Sequence, residues 1–477
     1  MEIHIIDLLI FIFYLAFMMG VGFYFLRRNN SEEDYYVGGR TMTAGHIGLS
    51  VVATDVGGGF SIGLGGLGFA MGISGSWMLF TGLLGAWLSA VWLIPKVYPI
   101  AKEKRFLTFP QSLGHHYGKR VALVAGVISL IGYIGFTSSQ ILAGAKLASA
   151  TFPSISIGSM VFMMGIIVVA YTVIGGLKAV IYTDTIQWIL LMVGLIGIGI
   201  PIGYMEVGGW EGIHQELPAE FFSLTNLTFV QFFNWLITIV PIWFVGMTLY
   251  QRIYACKDER TAIIAWRIAG IFEWPIMAFM GVLLGLFSRV AWQQGMFTEL
   301  GFGPDIALDA ELGLPLLLRS VLPVGLMGLM MSAYFSAIMS TADSCLMAAS
   351  GNLMTDIFGF FKKSARPFNL RLSQAMTLLI GLIAILLASR MNDVLELMLY
   401  SYAFMVSGLL VPVIGTLILK QPSPMAAMIS MLLGGVTTLV LILGDWVLPL
   451  GLDANVFGIT LSALSFFIVQ RLHTSEG

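Results

Sequence analysis

Long apolar runs separated by short polar segments repeat along the whole chain. A helix needs about 20 residues to cross the hydrocarbon core of a bilayer, which is about 30 Å thick, and the runs are of this order of length. The pattern therefore predicts an all-α membrane protein with about 13 transmembrane helices. The runs cover residues 5–26, 44–70, 76–100, 121–148, 156–176, 180–204, 229–250, 262–287, 318–358, 372–389, 394–418, 425–443 and 457–470.

The composition agrees with this pattern. Of the 477 residues, 58% are hydrophobic and 10% are charged, and the mean hydropathy is +0.90. Soluble domains carry roughly 25% charged residues, so the composition excludes a soluble enzyme. A net charge of −2 offers no attraction for nucleic acid. The lipid bilayer is therefore the expected surrounding of the chain.

The lysines and arginines predict the orientation of the helices. With the N-terminus outside, 20 of the 24 basic residues, Arg252 among them, fall on the inner side and the other 4 on the outer side. Positive charge accumulates in cytoplasmic loops. We therefore predict a multi-pass protein of the cell (plasma) membrane, with the N-terminus outside and the C-terminus in the cytoplasm. The outer loops, 205–228 and 288–317, are longer and acidic.

Two of the apolar runs are interrupted by residues that break helices. The second run contains Asp55 followed closely by the glycines at 57–59, and the seventh contains Pro241 and Gly246. Unwound backbone at membrane depth is tolerated where it is buried in protein or lines a cavity. Interrupted helices at matching positions of two halves indicate the central site of a transporter. The alternative is that the glycines only allow close helix packing.

The ninth run, 318–358, is about 40 residues long, so it must contain a bend, an entry segment or a projecting part. It carries hydroxyls and a carboxylate on one helix face. Oxygen ligands of this kind suit alkali or alkaline-earth cations rather than zinc or copper, and one or two carboxylates favour Na⁺ over a divalent ion. The alternative is that the hydroxyls only join helices. The residues of this face are Ser336, Ser340, Asp343 and Ser344, with Thr341 beside them.

Four carboxylates fall inside apolar runs: Asp55, Asp184, Glu273 and Asp343. A charge at the centre of a membrane helix costs about 2.5 kcal/mol or more, so such residues indicate function. Asp343 is the strongest case, because it lies among hydroxyls. The alternative to a functional role is an interfacial position for Asp184. For Glu273 the alternative is a structural role beside the kink at Pro275.

Three stretches resemble the sodium:solute symporter family, which includes sodium/glucose, sodium/proline, sodium/sialic acid and choline transporters. They are Val37–Arg40 with Ala53–Phe60, Gly175–Gln187, and Ser340–Ile357. The resemblance implies the leucine-transporter-like inverted repeat of five plus five helices. The implied divisions are 1–43 (an extra helix and an inner loop), 44–204 (first repeat), 229–418 (second repeat) and 419–477 (two further helices).

The resemblance also implies the residues of the site. The Na⁺ ligands would be Ala53, Val56, Ala337, Ser340 and Thr341. A second cation or coupling site would use Asp184, Asp343 and Ser344, with Asp55. The candidate solute-binding residues are Asp55, Gly58, Phe60, Trp77, Gln140, Trp243 and Phe244, and for each aromatic residue simple packing is the alternative. The aromatic positions typical of choline-type and proline-type members are not matched, so the solute stays open.

The sequence thus predicts a secondary-active symporter, not an enzyme, that couples inward Na⁺ movement to uptake of a small organic solute by alternating access. Na⁺ is the co-transported ion, and no organic cofactor is expected. An H⁺-coupled symporter of the same fold is one alternative, and a channel or solute sensor that does not accumulate solute is another. The sequence leaves the oligomeric state open.

Overall fold

The computed structural model of the chain is helical throughout the residues it describes, which are 4–26, 32–55, 57–152, 155–362, 370–444 and 446–475. The α-helices are α1 (Ile5–Leu26), α2 (Glu32–Val37), α3 (Ala44–Asp55), α4 (Gly58–Met71), α5 (Trp77–Leu88), α6 (Ile94–Lys104), α7 (Phe109–Tyr117), α8 (Lys119–Thr151), α9 (Ile157–Met192), α10 (Ile200–Glu206), α11 (Gly209–Glu216), α12 (Phe229–Val245), α13 (Met247–Ala255), α14 (Glu259–Ile271), α15 (Ala278–Gln293), α16 (Ala310–Val321), α17 (Leu326–Gly351), α18 (Gly359–Phe361), α19 (Leu370–Ala388), α20 (Val394–Ile418), α21 (Pro424–Leu443) and α22 (Ala454–Ser475). The π-helical segments that continue some of them are Ser89–Leu93, Val193–Gly199, Phe272–Met277 and Asn352–Phe358.

Many of these helices can cross a membrane. In the described part of the chain, 8 helical segments are long and apolar enough, or 9 if the bent pair α12–α13 counts as one span. Helix α17 is not among the 8, because its serines, threonine and aspartate lower its hydropathy. The chain is therefore an all-helical protein with multiple membrane-spanning helices, and the larger number of 13 stays a prediction.

Both predicted helix interruptions are confirmed. Helix α3 ends at Asp55 and α4 begins at Gly58, so the second apolar run is broken at its carboxylate. The seventh run bends by 41° between α12 and α13, and Gly246 has the extended backbone that separates them. Pro241 lies inside α12 without ending it. The seventh run is thus broken by the glycine alone.

The long ninth run is divided as expected. Helix α16 ends at Val321 and α17 begins at Leu326. Between them Gly325 has a φ of +89°, a conformation that favours glycine. Almost all of α17 is buried, and it packs against α8, α9 and α1. The polar face of α17 therefore lies at the centre of the bundle.

Helix α9 covers the predicted fifth run and part of the sixth without a loop. The hydroxyl of Tyr171 nevertheless donates a hydrogen bond of 3.1 Å to Thr183 Oγ1. Residues 12 apart on a straight helix are separated by about 18 Å along its axis, which is beyond the reach of these two side chains. Helix α9 therefore cannot be straight between Tyr171 and Thr183, and whether two spans meet there stays a prediction.

Asp7 joins α1 to the beginning of α17. Its Oδ1 atom accepts hydrogen bonds from the backbone N–H groups of Gly325 (2.8 Å) and Gly328 (2.7 Å), and its side chain is 3% exposed. These N–H groups lie at a helix N-terminus, where no intrahelical acceptor is available. Asp7 therefore caps α17 from a different helix.

We expect Asp7→Ala to lower the free energy of unfolding by about 1–3 kcal/mol, because two buried N–H groups lose their acceptor. Asp7→Asn keeps an Oδ1 acceptor and should retain most of the stability. Thermal unfolding of the purified variants in one detergent measures both effects. Equal stability of Asp7→Ala and the wild type would contradict the capping role.

Candidate cation and solute site

Four oxygen atoms gather where the break after α3 meets α17. Ser340 Oγ donates to the carbonyl oxygens of Ala53 and Ala337, at 2.9 Å each. Thr341 Oγ1 donates to the same two carbonyls, at 3.1 Å and 3.3 Å. We call these four residues the first cation site. Four of the five predicted Na⁺ ligands are thus brought together, and the fifth, Val56, lies outside the described residues.

The chemistry of the first cation site fits a small monovalent cation. All four atoms that could bind a cation are uncharged oxygens, which are hard ligands. A cavity of about 10 Å³ lies beside Ala53, Ala337 and Ser340, which is about the volume one water-sized sphere occupies. The four residues thus offer uncharged oxygen ligands next to a space of the size of one small ion.

Gly57 lies against this site and has no room for a side chain. A Cβ atom built on Gly57 would lie 1.4 Å from Thr341 Oγ1 and 3.0 Å from the carbonyl oxygen of Ala337. Real Cβ atoms do not approach other atoms so closely. The sequence linked the triple glycine to unwinding, whereas at Gly57 the close approach to α17 also requires the absence of a side chain.

A buried ion pair lies deeper in the bundle. Arg252 Nη2 is 3.1 Å from Asp184 Oδ2, and both side chains are fully buried. The assignment of Arg252 to the inner loop residues was therefore wrong, because the bend at Gly246 sends α13 into the bundle. Asp184 is buried in this pair rather than exposed on the surface of the protein, and its depth in the membrane stays a prediction.

Arg252 connects four helices through further hydrogen bonds. Its Nε donates to Ser50 Oγ at 2.9 Å and its Nη2 to Ser344 Oγ at 2.8 Å. The same Nη2 donates to Thr54, and Nη1 donates to the carbonyl oxygen of Thr248 at 3.2 Å. Helices α3, α9, α13 and α17 thus meet at one guanidinium group. Sequence reasoning missed this role of Arg252. The apolar residues on both sides of the Gln251-Arg252 pair could have indicated that the arginine is buried.

The residues of the predicted second cation site surround this ion pair. Asp343 and Ser344 are fully buried on α17, and Asp343 lies close enough to Asp184 and Arg252 for their charges to interact. Asp184 Oδ1 and Asp343 Oδ2 have no hydrogen-bond partner. The structure therefore brings Asp184, Asp343 and Ser344 together, with a protein cation, Arg252, among them.

Asp55 lies at the end of α3 and has other neighbours than the Arg252–Asp184 ion pair. Its Oδ1 accepts a hydrogen bond of 3.3 Å from the hydroxyl of Tyr402, and its side chain interacts with that of Glu273. Glu273 is fully buried in the π-helical segment after α14. Glu273 thus lies beside the kink at Pro275 and also near a second carboxyl group, so both alternatives for it stay predictions.

The remaining solute candidates are spread over several environments. Trp243 is fully buried and packs so closely on Gly85 that a Cβ there would lie 2.3 Å from its ring. Phe244 is 5% exposed, with its ring 6.1 Å from that of Trp92. Gln140 is also fully buried. These three stay predictions of solute contact.

Trp77 and the start of α4 complete the predicted set. Trp77 Nε1 donates to the carbonyl oxygen of Leu224 at 2.8 Å, and its ring stacks on Trp274 with centroids 6.4 Å apart. Gly58 is the first residue of α4. The side chain of Phe60 lies outside the described residues. Trp77 therefore belongs to an aromatic cluster beside the loop that precedes α12.

A cavity of about 740 Å³ opens between α4, α12, α16 and α20. We call it the acid-lined cavity, because carboxylates are the only charged side chains among its described lining residues. These carboxylates are Asp309, Glu311, Asp393, Glu396 and Asp453. A cleft lined by one sign of charge concentrates ions of the opposite sign. The acid-lined cavity therefore favours cations.

Three of these carboxylates lie close enough together to hold a metal ion: Asp309, Glu311 and Asp393. Lys146 already fills this position, with Nζ 2.6 Å from Asp309 and 2.7 Å from Glu311. Both oxygens of Glu311 also accept hydrogen bonds of 2.9 Å from the first two N–H groups of α20. The cluster is thus a helix cap joined to a lysine, and it needs no metal.

The Val37–Arg40 stretch lies at the opposite end of the bundle. Arg40 forms an ion pair with Glu33 and donates from Nη2 to the carbonyl oxygen of Phe106 at 2.6 Å. Arg105 Nη1 is 3.1 Å from the same carboxylate of Glu33. Burial alone would raise the pKa of Glu33, but Arg40 and Arg105 lower it below its ordinary value. Two arginines and one glutamate thus connect α2 with the segment between α6 and α7.

Comparisons with known proteins agree on one family. Residues 35–434 match the sequence profile of the sodium:solute symporter family. The high-affinity proline transporter PutP of Bacillus subtilis (strain 168) is 27% identical over 477 residues, covering 95% of this chain and 96% of that protein. The human sodium/myo-inositol cotransporter is 29% identical over 406 residues, covering 75% of this chain and 55% of that protein.

Solved structures share the fold at low sequence identity. A Na⁺-coupled sialic acid symporter in a substrate-bound outward-open state has a TM-score of 0.76 and 19% identity, with 98% of each chain covered. A nucleobase-cation-symport-1 family transporter in a closed conformation has a TM-score of 0.60 and 13% identity, with 92% of this chain and 94% of that chain covered. Helix arrangement is therefore retained where most side chains differ.

Proposed function

This chain belongs to the sodium:solute symporter family, and from that premise we propose that it couples inward Na⁺ movement to uptake of a small organic solute by alternating access. Its relatives are transporters, so it is a membrane transporter of the symporter class and not an enzyme. The observation that carries the Na⁺ coupling is the first cation site, where four uncharged oxygens meet at a helix break.

The architecture we propose is the leucine-transporter-like arrangement, with about 13 spans and five helices in each of two inverted repeats. The two broken helices, α3–α4 and α12–α13, begin the two repeats, as expected for a transporter built in this way. We further propose that the N-terminus lies outside the plasma membrane and the C-terminus in the cytoplasm. The acid-lined cavity then opens to the exterior, from which Na⁺ enters.

Coupling follows from the elements that share the first cation site. Na⁺ bound there connects the break after α3 to Ser340 and Thr341 on α17. Through Ser344, α17 also reaches Arg252 on α13, the second half of the other broken helix. Na⁺ therefore favours one arrangement of both broken helices, and a solute that prefers the same arrangement raises the affinity for Na⁺ by the same factor that Na⁺ raises the affinity for solute.

Ser340→Ala and Thr341→Ala each remove one of the four ligands, and we expect each to raise the Na⁺ concentration for half-maximal uptake by about tenfold, equal to about 1.4 kcal/mol. Ser332→Ala is the matched control, because Ser332 is a buried serine of α17 whose hydroxyl donates to Gly328. Uptake by proteoliposomes over a range of Na⁺ concentrations measures the effect. Unchanged Na⁺ dependence in both site variants would refute the assignment.

The same proteoliposomes distinguish the alternatives. If a pH gradient drives uptake in the absence of Na⁺, the coupled ion is H⁺ rather than Na⁺. Solute that equilibrates without accumulating would indicate a channel, because a channel cannot concentrate its solute. Accumulation driven by a Na⁺ gradient is the result that the proposal requires.

A further inference from the structure

Two buried carboxyl groups, Asp55 and Glu273, form a pair that lies apart from the Arg252–Asp184 ion pair, and Glu273 belongs to neither proposed cation site. We call them the acid pair. Asp55 is 6% exposed and Glu273 is 0% exposed, and the two side chains lie within interaction distance of each other. They come from the end of α3 and from the π-helical segment after α14, so the fold brings them together over more than 200 residues of sequence.

Three of the four oxygens in the acid pair are open. Asp55 Oδ1 accepts from Tyr402, but Asp55 Oδ2 and both Oε atoms of Glu273 have no hydrogen-bond partner. Buried polar atoms are nearly always paired, and an unpaired charged group is especially costly. Three open acceptors at one place therefore indicate a ligand that donates hydrogen bonds.

The protein provides space for the Glu273 carboxyl group at a specific position. A Cβ atom built on Gly82 of α5 would lie 1.8 Å from Glu273 Oε2. The absence of a side chain at Gly82 thus allows the carboxyl group of Glu273 to lie against α5. This packing gives the carboxyl group a fixed place in the bundle.

The charges of the central bundle do not balance. Four carboxyl groups lie there, in Asp55, Asp184, Glu273 and Asp343, and the described part of the chain offers them one buried guanidinium group, Arg252. Arg252 forms its ion pair with Asp184, and within the described ranges neither member of the acid pair has a salt-bridge partner. Two adjacent buried carboxyl groups keep a proton when no cation is present, and a bound cation would take the place of that proton.

The surroundings of the acid pair favour an organic cation. Tyr402, which contacts Asp55, has its ring centroid 4.9 Å from that of Phe136, so aromatic rings that attract cations lie beside the carboxylates. An ammonium group offers three N–H donors, which matches the three open oxygens. Ala403, the neighbour of Tyr402 in α20, lines the acid-lined cavity, so this cavity reaches the turn of α20 whose Tyr402 contacts Asp55.

We propose that the transported solute carries a cationic nitrogen, such as an ammonium or guanidinium group, which binds between the carboxylates of Asp55 and Glu273. This inference rests on the proposed symport function and names the solute class. It excludes neutral polyols and sugars as the solute.

The test is ligand-induced thermal stabilisation of the full chain in nanodiscs at saturating Na⁺, with probes in matched pairs. Proline is paired with cyclopentanecarboxylic acid, putrescine with 1,4-butanediol, and agmatine with N-pentylurea, while myo-inositol and glucose are tested alone. We expect stabilisation only by members that carry a cationic nitrogen. Stabilisation by any neutral probe, or by none of the amines, would overturn the proposal.

Glu273→Gln removes one charge with little change in shape, and we expect it to weaken binding of the stabilising amine by at least about tenfold, or about 1.4 kcal/mol. Stabilisation by Na⁺ alone should stay within about twofold in concentration, which is less than about 0.5 kcal/mol. Glu299→Gln is the matched control, because Glu299 is an exposed carboxylate outside the lining of the acid-lined cavity and should leave amine binding unchanged.

The outcomes separate this inference from the symport function. If Na⁺ stabilises the wild type and drives uptake of a neutral solute, the inference fails and the symport function stands. If Glu273→Gln weakens stabilisation by Na⁺ as much as by amine, the occupant of the acid pair is Na⁺ and the inference also fails. If Na⁺ neither stabilises the protein nor drives uptake, the symport function itself fails.

Discussion

Na⁺-driven uptake by Gly57→Ala is expected to require about tenfold or more Na⁺ than uptake by the wild type. The added Cβ would lie 1.4 Å from Thr341 Oγ1, so either the break after α3 or the hydroxyl of Thr341 must move. Overpacking of this kind typically costs about 1–3 kcal/mol. Because Thr341 is one of the four ligands, the cost falls on the first cation site.

The control for this variant comes from the same helix. Gly45 lies in the first turn of α3, and a Cβ built there would meet no atom within 4 Å. Gly45→Ala should therefore leave the Na⁺ dependence of uptake unchanged at equal membrane abundance. A Gly57→Ala variant that behaves like Gly45→Ala would show that the break does not approach α17 as described.

The largest loss of stability is expected for Arg252→Met. It leaves Asp184 without its salt-bridge partner, and breaking a buried ion pair from one side costs about 3–5 kcal/mol. The hydroxyls of Ser50 and Ser344 also lose a donor. We expect a strongly lowered unfolding temperature in detergent and loss of uptake.

A double variant tests whether the lost charge is the cause. Arg252→Met combined with Asp184→Asn removes both charges, so it should be more stable than Arg252→Met alone. Arg260→Met, at an exposed arginine in the first turn of α14, should change the unfolding free energy by less than about 0.5 kcal/mol. Strictly additive losses in the double variant would contradict the ion pair.

Features that depend on neighbouring residues were predictable from the sequence. The break at the triple glycine, the bend at Gly246 and the division of the ninth run follow from local composition. The shared face of Ser340, Asp343 and Ser344 follows from helix periodicity. These local rules were sufficient to expect α17 beside the broken second run, and the oxygen-ligated cation stays a prediction.

Features that depend on contacts between distant segments were not predictable in the same way. Arg252 and Asp184 are 68 residues apart, and an arginine close to a helix end in sequence is equally typical of a cytoplasmic loop. The acid pair likewise joins two segments whose proximity cannot be predicted from the periodicity of the sequence. Arg252 reaches Asp184 because of the direction in which α13 leaves the bend at Gly246. Only the packing of the whole bundle determines that direction.

The hydrogen bonds of Asp7 give the first helix a mechanical role. A shift of the beginning of α17 must either carry α1 along or break both bonds to Gly325 and Gly328. Since α1 presents exposed apolar side chains such as Leu9 and Phe13 towards the surrounding lipid, a joint movement would displace the adjacent acyl chains. Bilayer thickness and fluidity should then influence the transport rate through a helix that contributes no ligand to the site.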